Sequence, residues 1–211
     1  MTKQERAEVT AELLKKEYPD PKTELDFENE MQLSIAVMLS AQTTDKKVNE
    51  VTKTLFKKYA SWNDFADAKV EDLQSAIYGV NFHKGKGDRL KKAGQIVISE
   101  FNGNLPKTLK ELIEIPGIAR KSANVILNEL WDISEGIVVD THVTRVSNKL
   151  DLTSEKNAVK IEKDLMSLVP KKYWRNFSGA MVLHGRYICT ARKPKCEKCV
   201  LSEICPIAFQ V

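Results

Sequence analysis

Apolar residues recur at helical spacing along almost the whole chain, and this pattern limits the fold more than any other property of the sequence. Val48, Val51, Leu55 and Phe56 fall at i, i+3, i+7 and i+8 behind the candidate N-caps Thr43 and Thr44, and Val70, Leu73 and Ile77 repeat the pattern before Gly79. Asp88 is placed to cap a further helix whose Leu90, Ala93, Val97 and Phe101 share a face before a stop near Asn102 and Gly103. The segment from Met31 to Leu39 is apolar nearly all round, as a central buried helix would be. Ile161, Leu165, Leu168 and Val169 mark a later helix ended by Pro170, and another runs from about Trp174 to Tyr187. Strand-like alternation over a useful length is missing, so the expected fold class is all-α, with no internal repeat and no flexible linker.

Composition narrows the setting. With 211 residues, 42% hydrophobic and 29% charged, the chain can bury a substantial core. No apolar run approaches the length of a membrane span, and the start "MTKQERAEVTAELLKKEY" is too charged for a signal peptide, so a cytoplasmic protein with no membrane partner is expected. A net charge of +4 is too small to imply a polyanion partner unless the cations cluster. Two stretches do cluster: residues 83–92, "HKGKGDRLKK", and residues 186–198, "RYICTARKPKCEK", each hold five Lys or Arg against one acid. A phosphate backbone would reward both, which makes Lys84, Lys86, Arg192 and Lys193 candidate contacts; the competing reading is a pair of solvated loop faces.

Residues 114–127, "EIPGIARKSANVIL", pose a chemical question. Leu105, Leu109, Leu112 and Ile113 lie on one face, Pro116 and Gly117 break the pattern, and Ala123, Ile126, Leu127 and Leu130 resume it: a helix, a tight hairpin and a second helix. Arg120 and Lys121 fall where that second helix begins, at the positive end of its dipole, where a cation is disfavoured. Lys121, Val125 and Asn128 share a side partly separate from the buried stripe, so Lys121 can face a cleft. The helix end, the adjacent Arg120 and partial burial would together favour a neutral, nucleophilic amine. Asp140, nineteen residues on, follows two apolar residues and precedes a helical pattern beginning near Thr141, which is an N-cap position.

All four cysteines lie at the C-terminal end, as Cys189, Cys196, Cys199 and Cys205, spaced C-x6-C-x2-C-x5-C. In a chain without an export signal the thiols should stay reduced. Four thiolates suit tetrahedral zinc or an iron-sulfur cluster; only one short C-x2-C pair is present, and the wide spacings favour the bulkier cluster modestly.

Together "MLSAQTTD", "IPGIARKSANVIL", "VVDTHVTRV" and the cysteine run resemble endonuclease III, a family of helix-hairpin-helix DNA glycosylases, over essentially the whole chain. The resemblance implies that Lys121 is the nucleophile that attacks sugar C1′ and forms a Schiff base, and that Asp140 is the carboxylate assisting base departure. It implies that the four cysteines hold a [4Fe-4S] cluster of structural character. Gly117, Ala119 and Arg120 would face a DNA phosphate through the hairpin, while Gln42 and His142 would fill or flank the gap left by a flipped nucleotide. Val80 or Phe82 would supply an apolar wedge from a loop, "NFHKGKGDRL", longer than the family's usual one. The family's second hairpin glycine is Ala119 here, so a torsional cost of about 1 kcal/mol or a shifted hairpin, with weaker DNA binding, is expected.

The implied architecture is a six-helix domain over residues 23–134, an iron-sulfur domain over 1–22 and 135–211, and an active site in the cleft between them. The implied activity is excision of oxidised pyrimidines of the thymine glycol type, followed by β-elimination. The partner would be double-stranded DNA with a damaged pyrimidine or an abasic site, met by a monomer in a prokaryotic cytoplasm at the nucleoid. Two alternatives stay open at this point: a monofunctional mismatch glycosylase, which would lack a lysine at the position of Lys121, and a non-catalytic iron-sulfur module that only grips phosphates.

Overall fold

The computed structural model describes residues 1–210, and among them all regular secondary structure is helical. Eleven α-helices occur in chain order: α1 Lys3–Glu17, α2 Glu30–Ser40, α3 Asp45–Lys58, α4 Trp62–Asp67, α5 Val70–Ala76, α6 His83–Phe101, α7 Leu109–Leu112, α8 Arg120–Trp131, α9 Thr141–Lys149, α10 Ala158–Leu168 and α11 Trp174–Tyr187. The chain divides into two compact units, Glu24–Trp131 and the combination of Met1–Thr23 with Asp132–Val211.

The Glu24–Trp131 unit is built around α2, in which Met31 and every residue from Leu33 to Leu39 are buried. Asn29 caps α2 by accepting from the Gln32 amide, and of the two cap candidates for α3 it is Thr44 that accepts from the Lys47 amide. The unit holds seven helices. The one that periodicity misses is α4, too short to show a stripe but marked by a capping box in which the Ser61 and Asp64 side chains each bond the other's amide.

Two sequence expectations are corrected by the helix boundaries. Asp88 does not cap a helix: α6 begins five residues earlier, behind Phe82 in the left-handed region at φ 59°, and the Asp88 carboxylate accepts from Gln74 Nε2 at 2.9 Å. The buried stripe of α6 runs back through Leu90 to Lys86, and a lysine at a core position with glycines on both sides disguises a helical turn as a loop. The helix expected from Leu105 to Ile113 is the single turn α7; Leu105 is buried outside it, and Ile113 is exposed.

The other unit packs α1, α9, α10 and α11 around a core that includes Leu14, Val143, Val146, Ile161, Leu165, Phe177 and Met181. Its last residues form the cysteine loop, which contains a 3₁₀ turn at Cys196–Lys198. No helix is long and apolar enough to cross a membrane among the described residues.

The α4–α6 packing within the first unit depends on Gly94, where an added Cβ would lie 2.8 Å from the Ala66 amide nitrogen and 2.9 Å from the Trp62 carbonyl. Backbone cannot yield as a flexible side chain can. Gly94→Ala is therefore expected to cost about 1–3 kcal/mol by overpacking, outweighing the ~1 kcal/mol that alanine gains over glycine in a helix. Urea denaturation checks this; a variant more stable than wild type would contradict the packing described.

Candidate active site and cysteine loop

In the Glu24–Trp131 unit the hairpin is a tight turn closed by the Ile118 amide donating to the Ile115 carbonyl at 3.0 Å. Pro116 opens the turn and Gly117 completes it at φ 98°, a conformation that disfavours any side chain. A Cβ on Gly117 would also lie 2.6 Å from Met38 Cε and 3.3 Å from Arg89 Cβ, so the glycine lets the hairpin seat against α2 and α6. Ala119 is not among the positive-φ residues, so the torsional cost expected from replacing the second hairpin glycine does not arise. The chain enters α8 directly, and the Ala119 carbonyl accepts the Ala123 amide at 2.9 Å.

Arg120 and Lys121 occupy the first turn of α8, and both are exposed. The partial burial expected for Lys121 is not found: the buried stripe runs through Ala123, Asn124, Ile126, Leu127 and Asn128, and Lys121 projects off it. Exposure is what a side chain that must reach an external substrate requires.

A second cluster surrounds the C-terminal end of α2. Lys86, on α6, is 4% exposed, and its ammonium donates to the carbonyls of Leu39 at 2.7 Å and Ala41 at 2.6 Å and to Thr43 Oγ1 at 3.2 Å. Burial, aided by nearby Arg89, lowers its pKa to about 8. Lys86 is thus not an outward phosphate contact, because its donors are committed to closing the carbonyl end of a helix. Lys84, in the first turn of the same helix, is exposed. Asn81 ties the same loop from the other side, its amide donating to Thr43 Oγ1 at 3.2 Å and its side chain to the Gln42 carbonyl. Gln42 is held in the left-handed region at φ 57°, and its neighbour Ala41 is exposed. The two wedge candidates separate cleanly: Val80 is 2% exposed and belongs to the core, while Phe82 is 66% exposed.

In the unit that carries the C-terminus, Asp140 is the N-cap of α9, its Oδ1 accepting from the Val143 amide at 2.8 Å. Arg145, further along the same helix, was not singled out by the sequence, although "VVDTHVTRV" contains it. Its guanidinium donates to the Gly185 carbonyl at 2.6 Å and to the Cys189 carbonyl at 3.0 and 3.1 Å, and lies 3.3 Å from His142 Nδ1. It ties the helix capped by Asp140 to the start of the cysteine loop.

That loop is closed by the Lys195 amide donating to the Ile188 carbonyl at 3.0 Å and by Thr190 Oγ1 donating to the Lys193 carbonyl at 2.7 Å, which leaves Arg192 and Lys193 exposed at its tip. None of the four cysteines is paired in a disulfide, and all four line one pocket with Ile188, Pro194, Ile207 and Ala208. The pocket is partly open to solvent, and its lining is almost wholly apolar. Among the described residues no three Cys, His, Asp or Glu side chains converge as ligands of a single ion. Four soft donors around one mostly apolar pocket, with no three converging on a point, suit a polynuclear cluster better than one zinc. Burial raises the Cys189 thiol and pushes Cys199 up to about 11, so these two sulfurs become thiolates most readily on a bound metal centre.

Fold, hairpin and cysteine loop together define a class. Residues 35–171 match the model of the HhH-GPD superfamily base excision DNA repair protein, and the chain belongs to that family. Residues 189–208, which contain all four cysteines, match the iron-sulfur binding domain of endonuclease III. Endonuclease III of Synechocystis sp. is 41% identical over 98% of this chain and 94% of its own length, and endonuclease III of Rickettsia felis is 38% identical over 92% and 91%. A solved structure described as a trapped endonuclease III–DNA covalent intermediate superimposes with a TM-score of 0.90 at 36% identity, covering 100% of this chain and 98% of that one. The chain is a base excision repair enzyme, a DNA glycosylase and AP lyase with a [4Fe-4S] cluster.

The contrast between Lys84 and Lys86 is measurable. Lys84→Met should reduce the salt dependence of duplex binding by about one phosphate contact, a slope of roughly 0.9 in log K against log salt. Lys86→Met should leave that slope unchanged while costing about 1–3 kcal/mol of stability through unsatisfied carbonyls. Fluorescence anisotropy titrations across salt, with urea denaturation alongside, check both. Equal slope losses in the two variants would contradict the placement of Lys86.

Proposed function

We propose that this enzyme excises oxidised pyrimidines from double-stranded DNA and cleaves the abasic strand, with Lys121 as nucleophile and Asp140 as its partner carboxylate. The observation that carries the reading is Lys121 itself: an exposed amine in the first turn of α8, directly behind a hairpin fixed by Gly117, in a chain superimposing on a protein trapped as a covalent DNA intermediate. In the first step the free amine of Lys121 forms an N–C1′ bond as the glycosidic bond breaks and the base leaves with its electron pair. Loss of the amine proton and ring opening give a Schiff base; removal of a C2′ proton then expels the 3′ phosphate. Asp140 keeps Oδ1 on the Val143 amide, leaving Oδ2 to take up a proton or to stabilise positive charge on the sugar.

Base removal requires the nucleotide to leave the stack, and damaged pairs cost least to open. Phe82 is the apolar side chain presented for insertion, and Gln42, held left-handed beside it by Asn81, fills the vacated space. Gly117, Ala119 and Arg120 contact phosphate through the hairpin, and Arg192 and Lys193 contact it through the cysteine loop. His142 fills or flanks the gap left by the flipped nucleotide. Cys189, Cys196, Cys199 and Cys205 hold the cluster, which supplies a rigid cross-link for that loop. A monomer acting in a prokaryotic cytoplasm at the nucleoid completes the reading.

Borohydride trapping on duplexes carrying thymine glycol, an abasic site or no lesion tests it. Wild type should form an adduct with both damaged duplexes, and Lys121→Gln with neither. Asp140→Asn keeps an N-cap residue, so the helix should survive while excision falls roughly 10²- to 10⁴-fold, the range of general acid–base assistance. Phe82→Ala should weaken abasic-duplex binding roughly 5- to 150-fold, from ~1–3 kcal/mol per stacked aromatic. An adduct on the abasic site alone would remove the oxidised-pyrimidine assignment. No adduct with tight binding would favour a purely DNA-binding module.

A further inference from the structure

A chain of side chains, buried at its centre, leads from the end of α1 to one cysteine, and the excision chemistry does not use it. His184, in the last turn of α11, is 1% exposed, and its Nε2 lies 3.3 Å from Cys199 Sγ. Its other ring nitrogen, Nδ1, lies 3.5 Å from the Tyr18 hydroxyl, and the two rings meet edge to face with centroids 6.2 Å apart. Tyr18 is fixed at its backbone: its amide donates to the Leu14 carbonyl at 2.8 Å, and its carbonyl accepts from Asn176 Nδ2 at 2.6 Å. The His184 carbonyl in turn accepts the amides of Ile188 at 2.9 Å and Cys189 at 2.8 Å. One residue therefore ends the helix from which the first cysteine departs and also points its ring at the third.

Hydrogen-bond inventory settles the direction of the chain. A cysteine bound to iron is a thiolate and can only accept. Nε2 must then carry the proton, Nδ1 must accept, and the Tyr18 hydroxyl must donate. The ring is shut away from water and meets one acceptor and one donor, so a single tautomer is selected by its two neighbours. A donor on a ligand sulfur withdraws electron density and stabilises the more electron-rich state of the cluster.

We propose that His184 is a positioning residue for the iron-sulfur cluster: its Nε2–H donates to the Cys199 sulfur, Tyr18 fixes the tautomer that makes this possible, and the bond raises the reduction potential and protects the cluster from oxidative loss. The inference rests on the four-cysteine ligand set proposed for this loop. The relevant couple is a one-electron oxidation of the bound cluster, the electron leaving to an electrode or to ferricyanide. No proton on His184 is gained or lost in it.

The test is film voltammetry on the holoprotein, with iron content, visible absorbance and resonance Raman spectra for wild type, His184→Phe, His184→Gln and Tyr18→Phe. His184→Phe should show a more negative potential, higher Fe–S(Cys) stretching frequencies and bleaching by ferricyanide several-fold faster than wild type. His184→Gln, whose amide restores an N–H near the same point, should recover most of the wild-type potential. Tyr18→Phe, which leaves the ring but frees its tautomer, should fall between. A fully loaded His184→Phe with wild-type potential and Raman spectrum would overturn the proposal. If that variant fails to hold iron, Tyr18→Phe decides: an intermediate shift supports the proposal, and an unchanged potential overturns it. Wild type holding no iron would instead overturn the ligand set, and the inference with it; iron content tells the two failures apart.

Discussion

The turn from Ile115 to Ile118 reverses the chain on a single hydrogen bond and needs a left-handed residue at Gly117, φ 98°. The single helical turn α7 leads into it and α8 leaves it, so the position of Lys121 is set within two residues of Ala119. Because Gly117 has no Cβ, the turn seats against Met38 and Arg89, which belong to α2 and α6. The same two helices meet again where Lys86 reaches from α6 to the carbonyls that end α2. The hairpin, the Gln42 loop and the Phe82 corner are thereby referred to one buried helix. The exposed amine proposed as the nucleophile gains its precision from this packing and not from burial of its own.

The other unit solves a comparable problem with polar ties. Asp140 is oriented by capping α9, and Arg145 on the same helix carries that orientation to the Gly185 and Cys189 carbonyls. A helix C-terminus leaves carbonyls without partners, and a guanidinium with several donors can serve more than one of them. The cysteine loop begins there, and its basic tip is held by short backbone and hydroxyl bonds. Burial opposes ionisation of the Cys189 and Cys199 thiols, a cost that a bound metal centre would offset by taking the protons' place.

Much of this is legible in the sequence because periodicity and capping agree. Thr44, Asp140 and the apolar run of α2 behave as their positions require, and the Pro116–Gly117 break is a turn. The misreadings have physical causes. Lys86 occupies a core position of α6 with a charged head, so composition marks a solvated basic loop where the structure has a helix and a carbonyl clamp. Val80 and Phe82 look equivalent by residue type, and only burial separates them. Ala119 invites a torsional argument from the missing glycine, yet the turn needs its left-handed residue two positions earlier. Arg145 and His184 carry no motif of their own. Their partners are a carbonyl and a sulfur some forty and fifteen residues away, which spacing along the chain does not reveal.

The central claim is that one amine, that of Lys121, forms the covalent link to DNA. Mass-spectrometric peptide mapping of the borohydride-reduced adduct, made with wild-type holoprotein and an abasic-site duplex, addresses it without any substitution. The sugar remnant is expected on the peptide containing Lys121 and on no other lysine. A remnant on Lys84, on a lysine of the cysteine loop or on the N-terminal amine would contradict it.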